Sequence, residues 1–185
     1  MSLLSMFTYT LIGSLKVKYA VTTFLKFTFL AATLSISQLS FANETEFFTV
    51  SVGHAGVFDR DLDDPEVVKL EYRFKPTRFL QLAPGFGVSR AGNNANFVFG
   101  FVERDFYVKK HWVVSPNFGA GVFNDSESLN LGYDVQFRSG IRLAYEFENK
   151  MRLGVELFHL SNGGLGDSNP GTEPAFLSLS VPFNN

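Results

Sequence analysis

The sequence predicts an all-β protein, an eight-stranded antiparallel transmembrane β-barrel, and four observations predict it. Apolar and polar side chains alternate with a period of two residues in eight segments after residue 43. Each segment spans about ten residues, the length that a tilted strand needs to cross a bilayer core. Several segments carry charges of both signs on one face, and the connections between them alternate between short and long.

The first 42 residues have the order of a secretory signal peptide. Their only charged residues are basic, and these are Lys16, Lys18 and Lys26. An apolar run at 27–39 follows, and small residues flank position 41 in Ser40-Phe41-Ala42. A basic region, a short apolar core and a small-residue site, in this order, predict a peptide that is cleaved on export.

We therefore expect a cleaved signal peptide over residues 1–42 and one barrel domain over 43–185. The apolar run is shorter than the roughly 20 residues of a membrane-spanning helix; the alternative is an uncleaved N-terminal anchor that also uses residues 3–15. Cleavage leaves 13 basic and 18 acidic residues, a formal charge of −5, and this acidic balance argues against nucleic-acid binding. The lack of cysteine excludes disulfides, a thiolate nucleophile and a cysteine-based metal site.

The alternation assigns faces to the strands, which we predict at 46–58, 66–75, 79–90, 96–108, 112–123, 134–147, 151–161 and 173–183. In the second strand Val68, Leu70, Tyr72 and Phe74 share one face, opposite Lys69, Glu71, Arg73 and Lys75. In the sixth strand Gln136, Arg138, Arg142 and Glu146 lie opposite an apolar row. A lipid-embedded barrel explains this pattern, because apolar side chains face lipid while ion pairs fill the interior.

The lengths of the connections give the orientation. Connections after the second, fourth and sixth strands are short, whereas those after the first, fifth and seventh are longer and rich in Asp, Asn, Ser and Gly. Outer-membrane barrels have short periplasmic turns and longer external loops. With a periplasmic N-terminus, the long loops lie outside, so the chain is predicted to reside in the outer membrane. Side chains fill the interior of an eight-stranded barrel, which argues against a porin.

Candidate catalytic residues lie at the external end of the last two strands. His159 and Ser161 continue the outward apolar row of the seventh strand, with Cα atoms about 6.5–7 Å apart. Glu173 begins the eighth strand, and antiparallel pairing brings it to the same rim. A serine, a histidine that takes its proton and an orienting carboxylate are the groups of a serine esterase. The alternative is that these polar groups only face lipid headgroups, where even a charge costs about 0–1 kcal/mol.

The run His159-Leu160-Ser161-Asn162-Gly163-Gly164, followed by Asn169-Pro170-Gly171 and Glu173, resembles the PagL-type lipid A 3-O-deacylases. That family consists of eight-stranded outer-membrane barrels with a His-x-Ser-Asn signature and a downstream glutamate. The resemblance implies that Ser161 is the nucleophile, His159 the general base and Glu173 the orienting acid. It also implies an oxyanion hole formed by the Asn169 side chain and the Gly164 backbone N–H.

The function implied by this resemblance is hydrolysis of the 3-position acyl ester of lipid A, the membrane anchor of lipopolysaccharide, at the outer leaflet. The resemblance implies no metal and no other cofactor, and it implies a homodimer. Two alternatives stay open from the residues themselves. One is an outer-membrane phospholipase with the same triad, and the other is a structural or adhesive barrel without enzymatic activity.

Overall fold

A computed structural model describes residues 45–57, 65–126 and 129–183. The predicted signal peptide lies outside these residues. Within them no helix is long and apolar enough to cross a membrane. The strands are β1 Phe47–His54, β2 Glu66–Arg73, β3 Ala83–Ala91, β4 Asn96–Glu103, β5 Phe106–Lys109, β6 Trp112–Asn124, β7 Val135–Glu146, β8 Arg152–Ser161 and β9 Ala175–Pro182.

The sheet closes into an eight-stranded antiparallel barrel, as the sequence predicts. β1 pairs with both β2 and β9, and β4 pairs with β6, so the sheet closes on itself, and of the described strands the short β5 alone has a single neighbour. β4 and β5 are two parts of one crossing, because Glu103 pairs with Asn117 and Phe106 with Val114 in one continuous register. The predicted strand at 96–108 is therefore present, with a break at 104–105.

The two faces of the sheet follow the predicted alternation. On β2, Val68 and Leu70 are 52% and 39% exposed on the outer surface. Lys69, Glu71 and Arg73 are each 2% exposed and point into the barrel. β7 and β8 repeat the pattern, with apolar side chains outward and charges inward. The outward apolar surface suits lipid, and closure pairs both sides of every described strand except β5.

Ion pairs fill the half of the interior next to the short turns, which are predicted to be periplasmic. Arg142 binds Glu71 at 2.6 Å and Glu156 at 2.7 Å, and Arg138 binds Glu71 at 2.8 Å. Five buried basic side chains and five acidic side chains of the described residues make up this network, namely Lys69, Arg73, Arg138, Arg142, Arg152, Glu71, Glu103, Asp105, Glu146 and Glu156, and the half-exposed Lys150 also pairs with Glu146. Because the charges balance, a closed interior can hold them without net charge.

The external half of the interior is aromatic and apolar. Six phenylalanines form its centre, and these are Phe97, Phe99, Phe101, Phe123, Phe158 and Phe176. The Arg138 guanidinium lies 4.0 Å from the centre of the Phe158 ring and joins this layer to the ion pairs below by a cation–π contact. Phe158 and Leu160 point inward on β8, so the residues between and beyond them, His159 and Ser161, point outward over a packed wall.

Four strand boundaries differ from the prediction by two residues or more. β1 ends at His54 rather than at 58, and β2 ends at Arg73 rather than at 75. β3 begins at Ala83 rather than at residue 79, because 78–81 form a turn in which Leu80 and Gln81 have φ of 56° and 55°. Left-handed backbone at such residues is uncommon, and no glycine marks this turn in the sequence. β9 begins at Ala175, so Glu173 lies just before the strand rather than at its start.

Candidate active site

His159 and Glu173 meet on the outward surface at the external end of the barrel. β8 pairs with β9 in a register that sets Leu157 opposite Ala175, and two residues further on this register brings His159 beside Glu173. His159 Nδ1 lies 2.9 Å from Glu173 Oε1, with the two side chains 51% and 33% exposed. A carboxylate on Nδ1 fixes the imidazole so that Nε2 is left to act as a base.

Ser161 is the last residue of β8 and lies on the same face as His159. A methyl group on Gly171 would stand 3.2 Å from His159 Cε1 and 3.9 Å from Nε2, so this edge of the ring faces Gly171. The bridge between Leu160 and Thr172 sets Gly171 at the level of Ser161. Nε2 is thus turned toward the level of Ser161, although no hydrogen bond joins the two side chains in the described part of the chain.

Asn162 organises the loop that follows the serine. It is fully buried, and its Nδ2 donates to Leu131 O at 3.0 Å and to Ser168 O at 2.7 Å. Its Oδ1 accepts the Gly164 N–H at 2.8 Å. Sequence analysis gave Asn162 no role of its own, although an asparagine between a strand end and two glycines is a signal for a side chain that binds loop backbone. This residue ties two external loops to the end of β8.

The two residues predicted for the oxyanion hole differ in availability. The Asn162 N–H donates to Asn169 Oδ1 at 3.0 Å, which leaves Asn169 Nδ2 as a donor beside Ser161. The Gly164 N–H is already donated to Asn162 Oδ1. An oxyanion would have to compete with that side chain for the Gly164 N–H, whereas no hydrogen bond within the described residues uses Asn169 Nδ2.

A family model described as lipid A 3-O-deacylase (PagL) matches residues 66–182, a range that contains all of these side chains. The chain belongs to this family. No individual curated protein matches the chain by sequence. The fold agrees with that of the PagL family, since the crystal structure of the outer membrane enzyme PagL aligns with a TM-score of 0.56. That alignment has 19% identity and covers 74% of this chain and 99% of the other.

A designed transmembrane β-barrel aligns with a TM-score of 0.51 and 15% identity, over 76% of this chain and 96% of the other. Because a de novo designed barrel matches as well, the barrel fold alone carries no information about chemistry. The family match and the fold together assign the chain to the outer-membrane β-barrels and to the lipid A deacylases in general. The chemistry of this chain has to be argued from its own side chains.

Proposed function

We propose that this protein is a serine esterase that hydrolyses the 3-position acyl ester of lipid A at the outer leaflet. The observation that carries the proposal is the hydrogen bond between His159 and Glu173 on the lipid-facing surface, two residues before Ser161. A buried ion pair would serve stability, but this pair is exposed, and an exposed pair contributes only about 0–1 kcal/mol. Membership of the PagL family supplies the substrate class.

The reaction begins when Ser161 Oγ attacks the ester carbonyl carbon and His159 Nε2 takes the hydroxyl proton. Glu173 stabilises the imidazolium through Nδ1, and the Asn169 amide donates to the oxyanion. The tetrahedral intermediate collapses, the sugar oxygen leaves with the proton from His159, and the acyl chain stays on Ser161. A water molecule, deprotonated by His159, then releases the fatty acid and restores the serine.

The position of the residues supports a lipid substrate. His159 and Ser161 project from the outer wall, and the outward residues below them on β8 are Leu157, Val155 and Leu153. A soluble ester would have to enter the hydrocarbon to reach this row, whereas a lipid ester near the headgroups already lies against it. This argument applies to any lipid ester, so the test must separate lipid A from phospholipid.

The test is acyl release from purified lipid A by the detergent-solubilised protein, followed by mass spectrometry. We expect the wild type to remove one 3-hydroxyacyl chain, and Ser161→Ala to be slower by a factor on the order of 10⁴ or more. His159→Ala should lose activity to a similar degree, and His54→Ala is its control because His54 is an exposed histidine at the external end of β1.

Three results would contradict the proposal. Equal rates for the wild type and Ser161→Ala would exclude this nucleophile, and release from phospholipid alone would favour the phospholipase. A wild type inactive on both lipids would favour a barrel without enzymatic activity. The cleaved signal peptide and the homodimer stay predictions, which N-terminal sequencing of the membrane-inserted protein and its molar mass in detergent would check.

A further inference from the structure

The outward surface of the barrel has two polar positions away from the strand ends. We consider the outward-facing residues of the described strands that lie at least two residues from either strand end. All of them are apolar except Ser139 and His159. These two residues are direct cross-strand partners, Ser139 on β7 and His159 on β8. A serine in a lipid-facing row loses the hydration of its hydroxyl without gaining packing contacts. Its position beside the histidine therefore suggests a functional role.

Ser139, His159 and Glu173 form one row across three neighbouring strands. Glu173 binds the imidazole from the β9 side, and Ser139 stands on the β7 side. The Cε1–Nε2 edge of the ring faces the level of Gly171 and Ser161, so Ser139 is not aligned as the nucleophile. Its hydroxyl has no hydrogen-bond partner within residues 45–57, 65–126 and 129–183, and the side chain is exposed. It is therefore available to a molecule bound on the surface.

The path of a bound acyl chain passes Ser139. Ser139 and Ser161 are diagonal neighbours across β7 and β8, a relation that separates the two residues by about 7–8 Å and their Cβ atoms by somewhat less. A chain whose ester carbonyl lies at Ser161 must descend into the membrane, and an apolar groove lined by Ile141, Leu143, Val155 and Leu157 lies directly below Ser139 and His159. The first carbons beyond the carbonyl therefore cross the level of Ser139.

We propose that Ser139 is a specificity-determining residue that hydrogen-bonds a hydroxyl group on the acyl chain close to the scissile ester. The inference rests on the proposed esterase function and adds the substrate feature that the site reads, a 3-hydroxyacyl chain as opposed to an unsubstituted one. A hydroxyl two carbons beyond the carbonyl is the one polar group on such a chain, and Ser139 is the polar side chain that its path passes beside the histidine, before the apolar groove begins.

The experiment compares two synthetic esters that differ only in the hydroxyl, one with a 3-hydroxyacyl chain and one with an unsubstituted chain of equal length. Both are presented in mixed detergent micelles to the wild type, Ser139→Ala and Ser139→Thr. We expect Ser139→Ala to lower kcat/KM for the hydroxylated ester about fivefold, as loss of one hydrogen bond would. The value for the unsubstituted ester should stay unchanged, and Ser139→Thr should keep the preference.

The outcomes separate this proposal from the proposed function. An equal fall in kcat/KM for both esters would mean that Ser139 supports His159 or the local fold. An unchanged ratio of the two kcat/KM values would mean that Ser139 does not recognise the hydroxyl. Either result overturns the proposal and leaves the proposed esterase function intact. Loss of all activity in Ser139→Ala, with Ser161→Ala still active, would make Ser139 the nucleophile and overturn both. A wild type that hydrolyses neither ester and also releases no acyl chain from purified lipid A overturns both as well.

Discussion

Gly171 is the residue whose backbone most directly limits the position of His159. Its φ is +69°, and a Cβ there would lie 3.1 Å from Leu160 O and 3.2 Å from His159 Cε1. A side chain at this position would add backbone strain and push the imidazole away from Ser161. Neither effect can be read from the sequence, in which Gly171 is one of several loop glycines.

We expect Gly171→Ala to lower kcat roughly ten- to a hundredfold, because small displacements of a catalytic base are costly. The control is Gly163→Ala, since Gly163 also has a positive φ, of +64°, but a methyl there would meet the Phe137 ring rather than His159. Both variants should lose about 1–2 kcal/mol of stability from the strained backbone. Equal activity of the two variants, measured by acyl release, would show that contact with His159 does not matter.

Asn162 offers a second test at the residue scale. Asn162→Ala removes three side-chain hydrogen bonds to the loop backbone, and we expect it to lower the free energy of unfolding by about 1–3 kcal/mol. The activity should fall as well, because the loop that carries Asn169 is no longer tied to β8. Asn149→Ala, in an exposed turn at the other end of the barrel, is the control. Thermal unfolding in detergent and acyl release measure the two effects, and a variant as stable and active as the control would contradict this account.

Strand faces could be predicted from the sequence, whereas interruptions of strands could not. The alternation on β2 and β7 fixes which side chains face lipid, because a shift of one residue would move every charge to the wrong side. The break at 104–105 depends instead on Asp105, which accepts hydrogen bonds from Arg73, Arg152 and Ser115 across the barrel. These partners are distant in sequence, so no local pattern reports them.

The candidate site, too, could be predicted from the sequence in part. The two-residue spacing of His159 and Ser161 gave their shared face, and antiparallel pairing gave the neighbourhood of Glu173. The hydrogen bonds of Asn162, the use of the Gly164 N–H and the place of Ser139 in the row depend on the registers of β7, β8 and β9. These registers are set by contacts between distant segments and become visible only in three dimensions.

The Asp105 contacts lead to a prediction for the element they interrupt. Asp105→Ala leaves Arg73 and Arg152 buried with fewer partners, and we expect a loss of about 3–5 kcal/mol in the free energy of unfolding. Glu148→Ala is the matched control, because its ion pair with Lys110 spans 3.5 Å between side chains that are 83% and 80% exposed. That loss should stay below about 1 kcal/mol. Urea unfolding of both variants in lipid vesicles measures the two losses. Similar losses in the free energy of unfolding would mean that the buried network contributes little to stability.

At the scale of the whole molecule, the filled interior predicts a barrel that does not conduct ions. Arg142 bridges Glu71, Glu103 and Glu156, which come from three different strands or strand ends, so its side chain crosses the lumen. We expect the wild type, reconstituted in planar bilayers, to give no stable ohmic current. The purified Arg142→Ala variant is measured for comparison, because it lacks the central cation of the ion-pair network. A steady current through the wild type would show that the network leaves a water-filled path.

The outward position of His159 and Ser161 has a consequence for how turnover must be counted. A catalytic group on the outer wall of a barrel meets its substrate by lateral diffusion within a leaflet rather than by capture from bulk solution. The concentration that sets the rate is therefore the fraction of lipid A among the lipids of the membrane surface. Diluting lipid A with an inert lipid should slow the reaction even when its molar amount in the assay is constant, whereas diluting the whole suspension with buffer should leave the rate per protein molecule unchanged.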